Sequence, residues 1–300
     1  PSQYRPPRQQ DDWKPKQPVV GQRKNPITGE MEPRAFLKTY GCDGGVDYGD
    51  LYTLRSGTAA FYDKKIESGT VFLSGPRSGC TNSIIPSGGV LNVPYFYEGC
   101  TCSYPLPTAM SLVSMSEQHE QWASWGKSEI PPGKIQRIGI NFGAPGDRIS
   151  RSGTLWLDYP SVGGPSPIFN AKASGMTSYR YQHSLWMKGD AKYPWVNASA
   201  VEGLREFTIT GLKPGNYTVR LYFNEPDSLA PGERVQSIDL QGKTVQSQFD
   251  VVAESGGSMK ATALEFSGIQ VQDELKLGLS SSRGVTLLSG LELIRKNGQD

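Results

Sequence analysis

Asn216-Tyr-Thr-Val-Arg-Leu-Tyr-Phe-Asn-Glu225 decides how this chain is to be read. Tyr217, Val219, Leu221 and Phe223 fall on alternate positions, the two-residue period of a strand that turns one face to a core. The period recurs on both sides: Ile138 and Ile140; Phe207 and Ile209; Ile238 and Leu240; Leu275, Leu277 and Leu279; Leu291 and Leu293. Runs of this kind, each with one apolar face, pair as two sheets packed face to face. A β-sandwich is therefore expected over residues 134–298.

The rest of the composition agrees with an all-β chain. Among 300 residues there are 35 Gly and 22 Pro, with 36% hydrophobic residues, which describes many turns and short segments rather than long helices. The length suits two packed units. Thirty-one basic side chains against twenty-nine acidic ones leave a charge of +2, too balanced for a surface that tracks phosphates, so nucleic acid is set aside as a partner. No apolar run approaches the ~20 residues of a membrane span, and no signal peptide opens the chain. Starting on Pro1 rather than Met, the chain is expected to be a processed or internal piece of something longer.

Residues 1–35 carry Pro1, Pro6, Pro7, Pro15, Pro18, Pro26 and Pro33 and little apolar periodicity, and are expected to be an extended arm ordered only against another surface. Over 36–115 short apolar stretches alternate with glycines. Leu51-Tyr-Thr-Leu54, a turn at Arg55-Ser-Gly-Thr58 and Ala59-Ala-Phe-Tyr62 read as a hairpin. Thr70-Val-Phe-Leu73, Ser83-Ile-Ile-Pro86, Val90-Leu-Asn-Val93 and Ala109-Met-Ser-Leu-Val113 continue the pattern at the spacing of propeller-type blades. Residues 116–133 form the linker. Its helical candidate, from Met115 to Trp125, ends at Gly126 ahead of Pro131 and Pro132.

Two resemblances build on these residues. Arg137-Ile-Gly-Ile-Asn-Phe-Gly143, Phe207-Thr-Ile-Thr-Gly-Leu212, the stretch ending at Glu225, Gly232-Glu-Arg-Val-Gln-Ser-Ile-Asp-Leu240, Phe249-Asp250 and Leu291-Glu-Leu-Ile294 resemble malectin-like domains, in the family's order. The resemblance implies a jelly-roll sandwich that binds sugars without cleaving them. In malectin aromatic side chains after the family's Glu help form the sugar cleft; here Glu225 is followed by Pro226-Asp-Ser-Leu229. Lys38-Thr-Tyr-Gly-Cys-Asp-Gly44, Leu54-Arg-Ser-Gly-Thr-Ala-Ala-Phe-Tyr-Asp63, Pro76-Arg-Ser-Gly-Cys80 and Gly99-Cys-Thr-Cys-Ser-Tyr-Pro105 resemble the last blades of large secreted bacterial β-propellers related to pyrroloquinoline-quinone-binding repeat proteins. About two blades fit in this length. The remaining blades would come from another chain or from a removed upstream portion.

Sugar sites stack aromatic faces on C–H groups and bond hydroxyls with polar side chains, so loop aromatics are the candidates. Trp156, Tyr159, Tyr179, Tyr181 and Trp195 are the expected ligand-binding residues, in the weakly periodic stretch before Phe207. Tyr159, Tyr179 and Trp195 are expected to be exposed; Trp156, and Trp186 nearby, can equally be core rings. Asp147, Asp158, Glu225 and Asp250 can supply oxygens to a structural Ca²⁺, although no spaced calcium-loop motif joins them. His119 and His183 have no sequence-local partner for a triad, and no hydrolase or phosphate-loop motif is present, so no catalytic residues and no organic cofactor are expected. Asn197-Ala-Ser199 and Asn216-Tyr-Thr218 fit the N-glycosylation pattern.

Cys42, Cys80, Cys100 and Cys102 have no His at metal-finger spacing and are read as disulfide partners, which implies an oxidising compartment: secreted, periplasmic or cell-surface. A bridge between Cys100 and Cys102 would close a strained ring, so each is expected to reach out, as Cys42 with Cys102 and Cys80 with Cys100, or crossed. The function these features imply is non-catalytic recognition of a polysaccharide or glycoprotein within a larger exported protein. The alternative is a structural component of an extracellular assembly that uses the sandwich for protein docking.

Overall fold

The structure is a computed structural model describing residues 19–41, 44–75, 77–79, 84–94, 108–175, 178–189 and 191–296. The expected disulfide partners Cys42, Cys80, Cys100 and Cys102 lie outside the described residues, as does the arm before residue 19.

The chain is all-β, and its C-terminal part is a sandwich. One sheet has six strands, in the order Arg148–Ile149, Leu155–Tyr159, Arg137–Phe142, Gly290–Arg295, Gly215–Asn224 and Ala261–Val271. The facing sheet has five, Asn170–Ser174, Glu206–Thr210, Leu275–Arg283, Val235–Leu240 and Lys243–Phe249. Pairing is antiparallel except where Arg137–Phe142 runs parallel to Leu155–Tyr159. Between the sheets lie the alternating residues read from the sequence, with Ile138, Ile140, Val219, Leu221, Phe223, Leu291 and Leu293 on one side and Phe207, Ile209, Ile238, Leu275 and Leu277 on the other. A small third sheet, Ser178–Tyr181, Ser199–Glu202 and Leu287–Leu288, accompanies this pair.

The six-stranded sheet is buried on its outer face as well. There Trp156, Tyr193, Trp195, Val196 and Tyr222 make a second cluster, covered by the one-turn helix Pro194–Asn197. The rings meet edge to face, Trp156 with Trp195 at 5.7 Å and with Tyr222 at 5.3 Å, the geometry the ring quadrupoles favour. Trp156 lies over two positions that carry no side chain. A Cβ on its sheet neighbour Gly139 would overlap the indole, and one on Gly290 would run into Val196 and Trp156.

The N-terminal part forms a five-stranded antiparallel sheet in the order Ala123–Ser124, Thr70–Phe72, Thr58–Asp63, Leu51–Ser56 and Val46–Asp47, around Phe36, Tyr52, Leu54, Ala60 and Tyr62. A three-stranded sheet, Ile85–Ser87, Val90–Val93 and Met110–Val113, stands beside it. The hairpin read at Leu51 to Tyr62 is present, its turn tightened onto Gly57 at φ +77°.

Two expectations are corrected. From residue 19 the supposed arm is a hairpin, Val19–Lys24 with Met31–Ala35. Its turn is closed by the Asn25 side chain, which accepts from the N–H groups of Ile27 and Thr28, and the turn inserts Ile27, fully buried, into the sandwich core. Arg23 stacks on Trp125 at 3.8 Å and donates to the Tyr62 hydroxyl at 3.0 Å, so the hairpin bolts the two parts together. The linker helix is absent too: residues 116–121 turn, and Ala123–Ser124 joins the N-terminal sheet. A helix would put Trp122 and Trp125 on one face. Here they serve different clusters, Trp122 against Trp195 and Trp125 in the main core, which requires an extended segment between them.

Gly139→Ala is expected to lower stability by about 1–3 kcal/mol, the cost of forcing a methyl into a packed aromatic cluster. Urea unfolding followed by tryptophan fluorescence measures it; an unchanged midpoint would mean the Trp156 cluster is loosely packed.

Candidate functional site

At one end of the sandwich, several strands end or begin at charged residues. Glu202 closes Ser199–Glu202, Glu225 follows Gly215–Asn224, and Arg234 precedes Val235–Leu240. Their side chains converge. Nε of Arg234 is 2.7 Å from Oε2 of Glu225, a charge pair whose N–H does not point along the line to the oxygen, and Nη2 is 3.2 Å from both Glu202 and Asp227. Arg180 adds a second guanidinium, 3.0 Å from Glu202 and 3.2 Å from Asp227. Glu225, Glu202 and Arg234 are buried, so each charge depends on the others. Burial pushes the Glu225 carboxyl up from its ordinary range, opposed by the N–H of Asp227 and by Arg234. Burial pushes Glu202 up as well, but the hydrogen bonds from Arg180 and Ser178 and the charges of both arginines outweigh it and hold the carboxyl low.

This hub positions a strand. In Ser178–Tyr181 successive side chains point to opposite faces, so Ser178 and Arg180 face Glu202 while Tyr179 and Tyr181 share the other face. Tyr179 is 36% exposed and Tyr181 47%. The Tyr181 hydroxyl donates to Glu120, whose other oxygen accepts from the N–H of Ser184 at 2.7 Å. Burial and then this carboxylate push the phenol up to about 12. Tyr159 is a neighbour: burial raises the Tyr179 phenol first, and the Tyr159 phenol adds to the shift. The Tyr159 ring meets Phe142 and Phe207 edge to face and forms part of the wall of a cavity of about 380 Å³, with Asp158, Ser161, Phe169 and Lys127.

Of the five expected ligand residues, the structure brings Tyr159, Tyr179 and Tyr181 together. Trp156 and Trp195 are each 1% exposed inside the outer-face cluster and have no ring face to offer. The exposure expected for Trp195 and Tyr159 is therefore corrected: Pro194 opens the helix that carries Trp195 over the sheet, and Tyr159 is half-buried against Phe142 and Phe207 of the main core. Trp186, by contrast, is 65% exposed on the turn Ser184–Trp186, where His183 accepts from the N–H of Leu185 as its cap. Asp227, in the loop that lacks aromatics, belongs to the ionic hub. Sequence reading missed Arg234, Glu202 and Arg180, whose partners are remote in the chain.

The four carboxylates considered for Ca²⁺ separate. Glu225 is in the hub, and Asp250 caps the helix Val251–Ser255 through the N–H of Ala253. Asp147 and Asp158 stand together, where burial and then the Asp158 charge push the Asp147 carboxyl well above its ordinary range. Asn197 is buried and donates to the Phe223 carbonyl at 2.9 Å, so its glycosylation pattern has no accessible acceptor.

With this geometry in place, the family model described as the malectin domain matches residues 199–289, a span that contains Glu202, Glu225, Asp227 and Arg234. No curated protein matches the chain. Among solved structures, a beta-glucuronidase of Bacteroides uniformis is 17% identical at a TM-score of 0.44, over 54% of this chain and 18% of its own. The ANX2 ectodomain of Arabidopsis thaliana is 15% identical at 0.44, over 64% of this chain and 56% of its own. The plant peptide RALF23 complex with FER and LLG2 contains a chain 18% identical at 0.43, over 64% of this chain and 58% of that one. The chain thus spans less than two thirds of each. Among the described residues no helix is long and apolar enough to cross a membrane.

Arg234→Ala leaves Glu202 and Glu225 buried without their shared cation, and is expected to cost about 3–5 kcal/mol. Chemical denaturation measures the loss. Hydrogen exchange should localise it first to residues 178–181 and 225–228; uniform destabilisation without that local opening would contradict the positioning role.

Proposed function

We propose that this chain is a non-catalytic recognition module of an exported protein, acting outside the cytoplasm, that binds a polysaccharide or the glycan of a glycoprotein. The observation that carries this reading is the exposed pair Tyr179 and Tyr181 on one face of one strand, with Tyr159 beside Tyr179 in a cavity wall. Two rings on one strand face stand about 7 Å apart, the reach of adjacent sugar units in a chain. Ring faces take the C–H groups, while the exposed Ser161 and Lys127 at the cavity can bond hydroxyls. Trp186, on the turn that follows this strand, is exposed as well. The malectin-domain match over 199–289 supports the class of ligand. In this reading the two N-terminal sheets are blade-like units of a bacterial secreted propeller protein, completed by strands from another chain or from upstream.

A second reading, protein docking in an extracellular assembly, is favoured by one observation. The loop after Glu225 offers Pro226 and an ion-paired Asp227 where a sugar cleft would have rings.

Glycan-array screening followed by affinity electrophoresis separates the two. Tyr179→Ala with Tyr181→Ala is expected to weaken binding of the best glycan about 30-fold, at about 1 kcal/mol per ring. Binding that survives this double variant would move the site away from the strand. No glycan signal, together with a copurifying protein released by Trp186→Ala, would favour docking.

A further inference from the structure

The second meeting of buried carboxylates, Asp147 with Asp158, has no guanidinium. Asp147 lies just before Arg148–Ile149, Asp158 stands in Leu155–Tyr159, and both are 2% exposed. Their contacts are all neutral. One oxygen of Asp147 accepts from the Ser166 hydroxyl at 2.8 Å and from the N–H of Asp158 at 3.4 Å, and the other from the N–H of Trp125 at 3.1 Å. Oδ2 of Asp158 accepts from the N–H groups of Val162 and Gly163 at 2.6 and 2.7 Å. Oδ1 of Asp158 is buried and accepts nothing among the described residues. An unbonded carboxylate oxygen at such depth, beside a second carboxylate, is strongly unfavourable unless a cation or a shared proton relieves it.

The surroundings are those of an oxygen site. Asp158, Ser161 and Ser166 all line the 380 Å³ cavity, and no His or Cys does; Lys127 lines it too but makes no ion pair with either aspartate among the described residues. The loop from 160 to 166 is pressed onto the 145–146 backbone so closely that a Cβ on Gly163 would collide with Pro145 and Gly146, which holds the loop that follows Asp158's strand against the segment that leads into Asp147.

We propose that Asp147 and Asp158 are the charged ligands of a Ca²⁺ site, completed by neutral loop oxygens and by water entering through the cavity. Hard oxygen donors on adaptable loops select Ca²⁺ over Zn²⁺, which takes N and S ligands, and over Mg²⁺, which demands a stricter octahedron. Among the described residues there is no group of three or more His, Cys, Asp or Glu suited to a metal, so the site carries two charges rather than four. A Kd of about 10⁻⁴ M, in the range of extracellular modules, is expected. The ion would brace the loop that follows Tyr159, but the site stands independently of any glycan.

The test uses the whole chain, stripped with EDTA and then melted with CaCl₂ or MgCl₂ at about 10 mM, roughly 100 times that Kd. Ca²⁺ is expected to raise Tm by about 5 °C, and Mg²⁺ by much less. In Asp158→Asn the Ca²⁺ shift disappears, and the variant melts above the wild type in EDTA because one buried charge is gone. Should that variant fail to fold, Tb³⁺ luminescence of the wild type, excited through tryptophan and displaced by Ca²⁺ at one equivalent, reads the site directly. No Ca²⁺-dependent shift and no displaceable Tb³⁺ signal in the wild type would overturn the proposal. A Ca²⁺ shift that persists undiminished in Asp158→Asn would overturn it as well.

Discussion

Arg234 carries its guanidinium into an interior where Glu202, Glu225 and Asp227 gather, and the arrangement at this end of the sandwich follows from that charge. A buried carboxylate is costly unless a cation or several hydrogen-bond donors satisfy it. The buried Glu202 and Glu225, from two different segments, must therefore meet one guanidinium, with the half-exposed Asp227 beside Glu225 joining them, and the two segments meet with them. The strand Ser178–Tyr181 is drawn in through Arg180, which shares Glu202 and Asp227 with Arg234. Because strand side chains alternate, turning Arg180 toward the hub places Tyr179 and Tyr181 together on the opposite face. The ionic hub thus fixes the face that the two aromatic rings share on this short strand.

A second constraint works on the other side of the long sheet. Its outer face would be an apolar surface in water, and Trp156, Tyr193, Trp195 and Tyr222 bury it beneath one helical turn. Those rings contribute cohesion and are unavailable to a ligand. The aromatic content of the chain is divided between two tasks, and burial decides which ring does which. The buried Glu292 in this region illustrates the same economy of charge, with Arg220 at 3.2 Å and the Tyr222 hydroxyl at 3.1 Å.

The sandwich was legible because its central strands state their own period: Tyr217 to Phe223 and Leu275 to Leu279 needed no partner to be recognised, whereas Leu155–Tyr159 and Asn170–Ser174, in the weakly periodic stretch, did. The turn of the N-terminal hairpin also left a local signal, Asn25-Pro-Ile-Thr-Gly29, which composition-based reading of a Pro-rich arm passed over. Other features have no local signal. Arg234 and Glu202 are 32 positions apart, and nothing near either announces the other. Trp195 follows a proline and resembles a loop residue until the sheet it covers is known. Trp122 and Trp125 have helical spacing, yet two separate clusters claim them, and tertiary burial overrides the local preference.

The central claim is that the outward face of Ser178–Tyr181, with Tyr159, meets sugar. Titrating the chain with its best-binding oligosaccharide while observing the tyrosine ring resonances by NMR tests it most directly. The account predicts saturable shifts at Tyr159, Tyr179 and Tyr181, with the buried Tyr217 and Tyr222 unmoved. Saturable shifts confined to other residues, leaving these three rings unchanged, would contradict it.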